Sequence, residues 1–147
     1  MATQITKNFT LEEFITSATA KAKGIDNTPT PQIKANIEKL CKNILQPIRD
    51  KYGYSMNITS GYRSPKLNAA VKGAKNSQHM TGDAADFKCK ATSKAKLFNL
   101  IVDMMKKGEI QFGQLIWEYG TKKEPNWIHI SNPRVGKKNN QIIYYYS

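Results

Sequence analysis

The segment at residues 77–86, SQHMTGDAAD, places a histidine and a carboxylate seven residues apart around a glycine turn. Imidazole nitrogen and carboxylate oxygen are zinc ligands, and a catalytic zinc takes three protein ligands with one position open. His79 and Asp86 would supply two of them. The other histidine of the chain, His129, lies in the alternating segment WIHIS, which is typical of a strand. This pattern predicts a zinc site at His79, Asp86 and His129, although an isolated surface histidine is more often solvated than bound to a metal.

Two motifs around these residues favour the metal site. The pattern Ser-x-His-x-x-Gly-x-Ala-x-Asp, followed later by Trp-x-His-x-Ser, resembles the M15 zinc peptidases, the family of D-alanyl-D-alanine carboxypeptidases and phage endolysins. Hedgehog signalling domains share the zinc fold of that family. Further matching segments lie at residues 27–29, 45–49, 60–65 with Asn68, and 114–116. The resemblance therefore spans roughly residues 8 to 132.

The resemblance implies an α+β fold of the hedgehog and D,D-peptidase type, in which a small antiparallel sheet carries the zinc site and packs against helices. A chain of 147 residues fits a single domain, residues 1–147, with one hydrophobic core. Apolar periodicity and capping residues predict elements along this domain. Helices are expected at residues 10–21, 30–52, 65 onward and 93–107, and strands at residues 56–60, 83–90, 114–118, 127–131 and 141–146.

The chain is strongly basic, because 23 Lys and Arg residues against 11 Asp and Glu give a formal net charge of +12. Such a charge favours a polyanionic partner, for example an anionic cell-envelope polymer. The lysines are spread along the chain and are not interleaved with aromatic residues in one patch, which argues against specific nucleic-acid binding. A merely solvated basic surface is the alternative interpretation.

Targeting signals and cysteine usage limit where the protein acts. The N-terminal residues lack the charged region and apolar run of a signal peptide, and no segment has the roughly 18 apolar residues of a transmembrane helix. We expect synthesis in the cytoplasm without a signal peptide. The resemblance adds action on the bacterial cell wall, as for a phage or prophage lysis protein. Cys41 and Cys89 are expected to be buried thiols.

Peptide hydrolysis at zinc also needs a general base. Many M15 peptidases carry a carboxylate three residues before the last histidine, but that position here is Asn126, which cannot accept the proton. Glu118 is predicted to be the catalytic base, because it follows the Gln-Leu-Ile segment as an acidic residue does in the shorter phage-type members. Glu124 is the alternative base, and Glu118 would then be only a surface charge at a strand end.

Two further residues match substrate-binding positions of the family. Arg63, in the Gly-Tyr-Arg-Ser segment, is predicted to hold a substrate carbonyl as it becomes an oxyanion, or a substrate carboxylate. Ser77 is predicted to hydrogen-bond substrate. A structural ion pair for Arg63 and a loop-shaping role for Ser77 are the alternatives.

The resemblance implies a Zn²⁺-dependent peptidase that hydrolyses peptidoglycan stem peptides, either an endolysin-like endopeptidase or a D-alanyl carboxypeptidase. A non-catalytic, zinc-containing module that binds the cell wall or a protein is the alternative, and the substitution at Asn126 favours it. A nucleic-acid-binding protein with structural zinc fits less well, because a structural site has four ligands and only three are found.

Overall fold

The computed structural model describes residues 3–146, so Met1 and Ala2, part of the N-terminal segment considered above, and Ser147 lie outside the described residues. Within these residues the strands are β1 (Gln4–Thr6), β2 (Phe9–Thr10), β3 (Met56–Ser60), β4 (Ala84–Cys89), β5 (Gln114–Glu118), β6 (Trp127–Ser131) and β7 (Gln141–Tyr145). The helices are α1 (Leu11–Ile15), α2 (Ala18–Lys23), α3 (Pro31–Leu40), α4 (Gln46–Tyr52), α5 (Pro65–Ala70) and α6 (Lys94–Lys106). A π-helical turn, Cys41–Leu45, joins α3 to α4, and a 3-10 turn, Gln78–Thr81, precedes β4.

The main sheet has five strands in the order β3-β4-β6-β5-β7, and β1 and β2 form a separate two-stranded sheet. The pairs β3–β4, β4–β6 and β6–β5 are antiparallel. Strands β5 and β6 form a hairpin. The α+β class is therefore confirmed.

The last strand corrects the expectation of a wholly antiparallel sheet, because β7 pairs with β5 in parallel. Strand β6 already has β4 and β5 on its two sides, so the chain beyond it can add only at an edge of the sheet. After the reversal through residues 132–140, β7 runs opposite to β6 and hence in the same direction as β5. The sheet is therefore mixed at this edge.

Alternation along the strands separates a core face from a cleft face, as expected when successive side chains point to opposite sides. On the core face lie the buried side chains of Ala85, Phe87, Leu115, Trp117, Ile128 and Ile130. Helices α4 and α6 contribute Ile48, Tyr52, Leu97, Phe98, Ile101 and Met104 to the same core. On the opposite face lie Asp86, Ile116, Glu118, Trp127 and His129.

The predicted helix at residues 30–52 is continuous but contains the π-helical turn, Cys41–Leu45, just before Pro47. Proline has no amide hydrogen, and its ring crowds the carbonyl of the residue four positions earlier. The wider turn accommodates Pro47, and α4 continues to Tyr52. Cys41 in this run and Cys89 in β4 are free and buried, as predicted. Across residues 3–146 no helix has the length and apolar character needed to cross a bilayer.

The predicted first helix, residues 10–21, is instead two helices. The Glu13 carboxylate accepts from the Thr10 amide at 2.7 Å, in line with the predicted capping box. Helix α1 ends at Ile15 because the Thr16 hydroxyl donates to the carbonyl of Glu12, at 2.6 Å. Ser17 then caps α2, its hydroxyl accepting from the amide of Ala20. Local side-chain bonds to the backbone thus interrupt the helix.

Gly61, which follows β3, connects the helical layer to the functional face. A Cβ atom at Gly61 would lie 2.5 Å from the carbonyl oxygen of Phe14 and 2.6 Å from its Cα atom. The amide of Tyr62 donates to the same Phe14 carbonyl, at 2.6 Å. Close approach of α1 to the end of β3 therefore requires glycine at this position.

We predict that Gly61→Ala destabilises the protein by about 1 to 3 kcal/mol, because backbone atoms of Phe14 cannot move away without displacing α1. Thermal and urea unfolding would measure the loss. Asn57→Ala, at an exposed position of β3, is the control and is expected to stay within about 0.5 kcal/mol of wild type. Equal stability of Gly61→Ala and wild type would contradict the requirement for glycine.

Candidate active site

The three predicted ligand residues come together at the centre of the cleft face. Strands β4 and β6 pair so that Asp86 lies directly opposite His129. His79 comes from the 3-10 turn, whose first amides are capped by the hydroxyl of Ser77. Sheet register therefore positions two of the residues, and a capped turn positions the third.

Asp86 lies between the two imidazoles. Its Oδ1 atom is 3.3 Å from Nε2 of His79 and 2.9 Å from Nδ1 of His129. One ligand atom from each of the three residues lies within 4.8 Å of the other two. Two ligands of a tetrahedral zinc, each about 2.0 to 2.2 Å from the metal, lie roughly 3.3 Å apart. The two donor pairs that include Asp86 are thus close to the spacing that a zinc ion requires, and the chemistry of the donor set fits zinc.

The backbone selects which nitrogen of His79 faces the other ligands. Nδ1 of His79 is 2.6 Å from the carbonyl oxygen of Gly61, an acceptor, so Nδ1 carries the proton. Nε2, which faces Asp86, is then the nitrogen available to a metal. A carbonyl that orients a histidine in this way is a common support of metal-ligating imidazoles.

Asp86 is ionised at this site. Burial alone would raise the pKa of its carboxyl group, but hydrogen bonds and favourable charge interactions with His129 and His79 hold the pKa well below its usual range. An ionised carboxylate is the form that ligates a metal. The donor set therefore consists of an anionic oxygen and two imidazole nitrogens.

Arg63 and Ser77 lie beside these ligands and support His79. The Arg63 amide donates to the His79 carbonyl at 3.0 Å, and its Nη2 atom donates to the Ser77 hydroxyl oxygen at 3.2 Å. The same oxygen accepts from the His79 amide at 3.1 Å. Burial lowers the pKa of Arg63, with Asp86 opposing that shift, but a guanidinium remains charged. Direct contact of either residue with substrate stays a prediction.

A cleft of about 590 Å³ opens over the three ligand residues. Its lining includes all the predicted site residues on the cleft face, namely Arg63, Ser77, His79, Asp86, Glu118 and His129, with Trp127 as part of the wall. This volume lies within the range of about 300 to 1,000 Å³ that is usual for small-molecule sites. A short peptide segment would fit.

Glu118, at the end of β5, is half-buried in this cleft and shares the face of His129. Register sets Glu118 opposite Trp127 and Ile116 opposite His129, so Glu118 is the diagonal neighbour of His129. Burial raises the pKa of Glu118, the charge of Asp86 adds to the rise, and His129 opposes it. A raised pKa makes this carboxylate a stronger base.

Glu124, the alternative base, has a structural role. Its carboxylate accepts from the amides of Lys94 and Ala95 at the start of α6, at 2.8 and 3.1 Å, and lies 3.2 Å from Nζ of Lys94. Burial would raise the pKa of Glu124, but these contacts lower it. Glu124 therefore stabilises the N-terminus of α6, and it is not among the cleft residues.

Asn126 lies close to Glu118 in the structure. The Asn126 amide donates to the Glu118 carbonyl at 3.0 Å, where the β5–β6 hairpin begins. The family position that usually carries the base is therefore next to Glu118 across the hairpin. Asn126 itself is exposed and is not among the cleft residues.

Several residues that line the cleft, or that hold its segments in place, have no role assigned from the sequence. The Asn27 side-chain amide donates to the carbonyls of Ile15 and Tyr62, and its oxygen accepts from the Ser64 amide, so Asn27 holds the segment that carries Arg63. Asn27 lies in one of the segments that match the family, and that match could have indicated its structural role. The cleft positions of Tyr119 and Arg134 depend on how loops fold, and no sequence motif indicated them. The three tyrosines at the end of the last strand suggest from sequence either edge packing or a groove lining, and Tyr145 lines the cleft.

A family model described as Peptidase M15 matches residues 7–131. The chain belongs to the peptidase M15 family. The match includes the three candidate ligands, Arg63, Ser77 and Glu118, and it ends at the last residue of β6. No curated protein matches the chain. Membership makes this M15 chain a member of a metallopeptidase family, and the His-Asp-His cluster is where a metal could be held.

Substitution of Glu124 and of Glu118 by glutamine is expected to change the stability of the fold in different ways. Glu124 has a lowered pKa in the fold, so its stabilisation is present above the ordinary value of 4.5 and disappears as pH falls through the lowered value. We expect Glu124→Gln to cost about 1 kcal/mol near neutral pH, or about 3 °C in Tm, and the loss to shrink in acid. Calorimetry in chelator, at neutral and acidic pH, measures both.

Glu118→Gln is the matched comparison. Because the raised pKa means that the fold disfavours the charged carboxylate, a neutral amide is expected to leave Tm unchanged or raise it near neutral pH. A drop in Tm equal to that of Glu124→Gln would contradict the assignment of separate roles.

Proposed function

We propose that the M15 chain is a zinc-dependent peptidase that hydrolyses peptidoglycan stem peptides. One observation carries the proposal: the ligand atoms of His79, Asp86 and His129 converge in a cleft that also holds the half-buried carboxylate of Glu118. A purely structural metal site would be closed by a fourth ligand. No fourth His, Cys, Asp or Glu joins the cluster within residues 3–146.

Zinc would be held by Nε2 of His79, Nδ1 of His129 and the Asp86 carboxylate. When bound, it supplies Lewis acidity, which polarises a carbonyl and lowers the pKa of water to about 7. The Gly61 carbonyl keeps the His79 ring in the ligating tautomer. Open space above the three ligands admits water and the scissile peptide.

Glu118 is the proposed general base. Its carboxylate takes a proton from the attacking water and then gives that proton to the nitrogen of the leaving amine, a role worth roughly 10²- to 10⁴-fold in rate. Its position at a strand end holds the carboxylate more firmly than a loop would. Burial, which raises its pKa, favours the acceptance of the proton.

Arg63 is proposed to contact the substrate. Its guanidinium is anchored by Ser77 through Nη2, while its Nε atom is buried without a hydrogen-bond partner among the described residues. A donor preorganised in this way can stabilise a carbonyl oxygen as it gains negative charge. Ser77 acts by fixing Arg63 and His79.

The cell wall is the proposed place of action, as for a phage or prophage lysis protein. Resemblance to the endolysins and carboxypeptidases of the family supports this, and so does the net charge of +12, which favours contact with an anionic envelope polymer. Either an endopeptidase or a D-alanyl carboxypeptidase activity is consistent with the cleft.

Zinc binding is tested by elemental analysis of protein resupplied with the metal and dialysed. We expect one zinc per chain, and loss of that zinc in His129→Ala and Asp86→Asn. Glu38→Gln, which removes an exposed carboxylate of α3, is the control and should retain the metal. Full occupancy in His129→Ala would refute the proposed ligand set.

Glu118→Gln tests the general base, with cleavage of purified peptidoglycan fragments followed by mass spectrometry. The amide keeps the shape and cannot take the proton, so turnover should fall by roughly 10²-fold or more while zinc is retained. Glu124→Gln is the control and should cleave at the wild-type rate below its melting temperature.

Two outcomes would contradict this assignment. If Glu118→Gln cleaves at the wild-type rate, Glu118 is not the base. If the zinc-loaded wild type cleaves no wall fragment, the chain is a zinc-containing binding module of the same fold, the alternative that Asn126 raised.

A further inference from the structure

Arg134 is a cleft residue to which the proposed mechanism gives no role. It lies in the loop at residues 132–140, which joins β6 to β7, and it lines the cleft. Among residues 133–138 all the others are exposed, whereas Arg134 is partly buried. The loop therefore turns this one side chain inward.

A side-chain amide fixes the backbone of Arg134. The Arg134 amide donates to Oδ1 of Asn139 at 2.8 Å, and Nδ2 of Asn139 donates to the Arg134 carbonyl at 3.0 Å. Asn139 thus closes the short loop that joins β6 to β7. The loop presents Arg134 from a defined backbone position.

Within residues 3–146 the guanidinium of Arg134 has no acceptor. Its Nε atom is buried without a hydrogen-bond partner, and its side chain takes part in no salt bridge within residues 3–146. A guanidinium is always charged, and burying a charged donor without an acceptor costs free energy. Nε of Arg63 and Nε1 of Trp127, both in the cleft, are unpaired in the same way. A bound molecule that supplies acceptors would satisfy these donors.

The charges of the cleft favour an anionic ligand. Its basic lining residues are Arg63, Lys72 and Arg134, and its acidic ones are Asp86 and Glu118. The charge of Asp86 would be compensated by the divalent cation that it ligates. The remaining excess is positive, and a guanidinium fork matches a carboxylate in two parallel hydrogen bonds.

Arg134 and Glu118 lie near different ends of β6. Glu118 ends β5 and lies opposite Trp127, at the start of β6. Arg134 follows Ser131, at the other end of β6, with His129 between the two ends. Arg134 therefore belongs to the end of the cleft away from Glu118, beyond the metal ligand His129.

We propose that Arg134 binds a carboxylate of the substrate at the end of the cleft away from Glu118. The inference rests on the proposed peptidase function and adds substrate selectivity to it. Arg134 lies outside the residues that the family model matches, so the family match assigns it no role. A peptide terminus and an acidic side chain are the two sources of such a carboxylate that the experiment distinguishes.

Calorimetric binding to the zinc-loaded full chain tests the proposal without turnover. The probe is an N-acetylated D-alanyl-D-alanine isostere in which a ketomethylene group replaces the peptide bond, used as the free acid and as the carboxamide. A third probe is the carboxamide with a carboxylate on its first side chain. We expect wild type to bind at least one of the two acids about tenfold or more tightly than the plain carboxamide. Which acid is preferred identifies the source of the carboxylate.

Arg134→Gln should remove this preference, with affinity for the carboxamide unchanged. Lys137→Gln removes the same charge from an exposed position of the same loop and should keep the preference. Arg134→Lys retains the charge without the fork, so it should lose part of the preference, and it serves if the glutamine variant does not fold. Absence of a preference in wild type, an equal loss in Lys137→Gln, or equal weakening of acid and carboxamide in Arg134→Gln would each overturn the proposal.

Failure of the peptidase function is distinguishable from failure of this inference. If wild type binds an acid probe preferentially through Arg134 but cleaves no stem peptide, the carboxylate site stands and the catalytic proposal fails. If wild type cleaves stem peptides without any preference for a carboxylate, the catalytic proposal stands and the role of Arg134 is wrong.

Discussion

The antiparallel pairing of β4 with β6 sets Asp86 opposite His129, and the candidate metal centre depends on that register. A shift of one residue would exchange the faces of β6, turning His129 into the core and an isoleucine into the cleft. Burial of Ile128, Ile130 and Phe87 on the other face prevents the shift. Hydrophobic burial on one side of the sheet therefore fixes the ligand geometry on the other side.

The remaining ligand depends on close backbone packing. His79 is oriented by the carbonyl of Gly61, and Gly61 can reach that position because it has no side chain to collide with Phe14. Ser77 then joins the His79 turn to Arg63. The metal site is thus coupled to the packing of α1 through backbone contacts, so residues distant from the cleft affect its geometry.

The polar groups of this peptidase differ in whether they have hydrogen-bond or ion-pair partners. Glu124 meets two amides and a lysine, as a residue with a structural role should. In the cleft, by contrast, buried donors of Arg63, Trp127 and Arg134 have no partner among the described residues, and Glu118 is held where its charge is disfavoured. Unsatisfied groups that share one cleft are the expected cost of a surface built to bind and act on a ligand.

The sequence alone determined the α+β class, most strands and helices, both free thiols and the three candidate ligands, because these follow from local periodicity and from motifs that carry the chemistry within a few residues. It could not separate Glu118 from Glu124, since both are acidic residues near one hairpin. Nor could it indicate the parallel pairing of β7, the break between α1 and α2, or the inward turn of Arg134. Tertiary structure decided these points, because each depends on contacts between segments that are far apart in the chain. Such contacts determine which carboxylate binds a helix terminus and which strand has a free edge. They also determine which loop side chain faces the cleft.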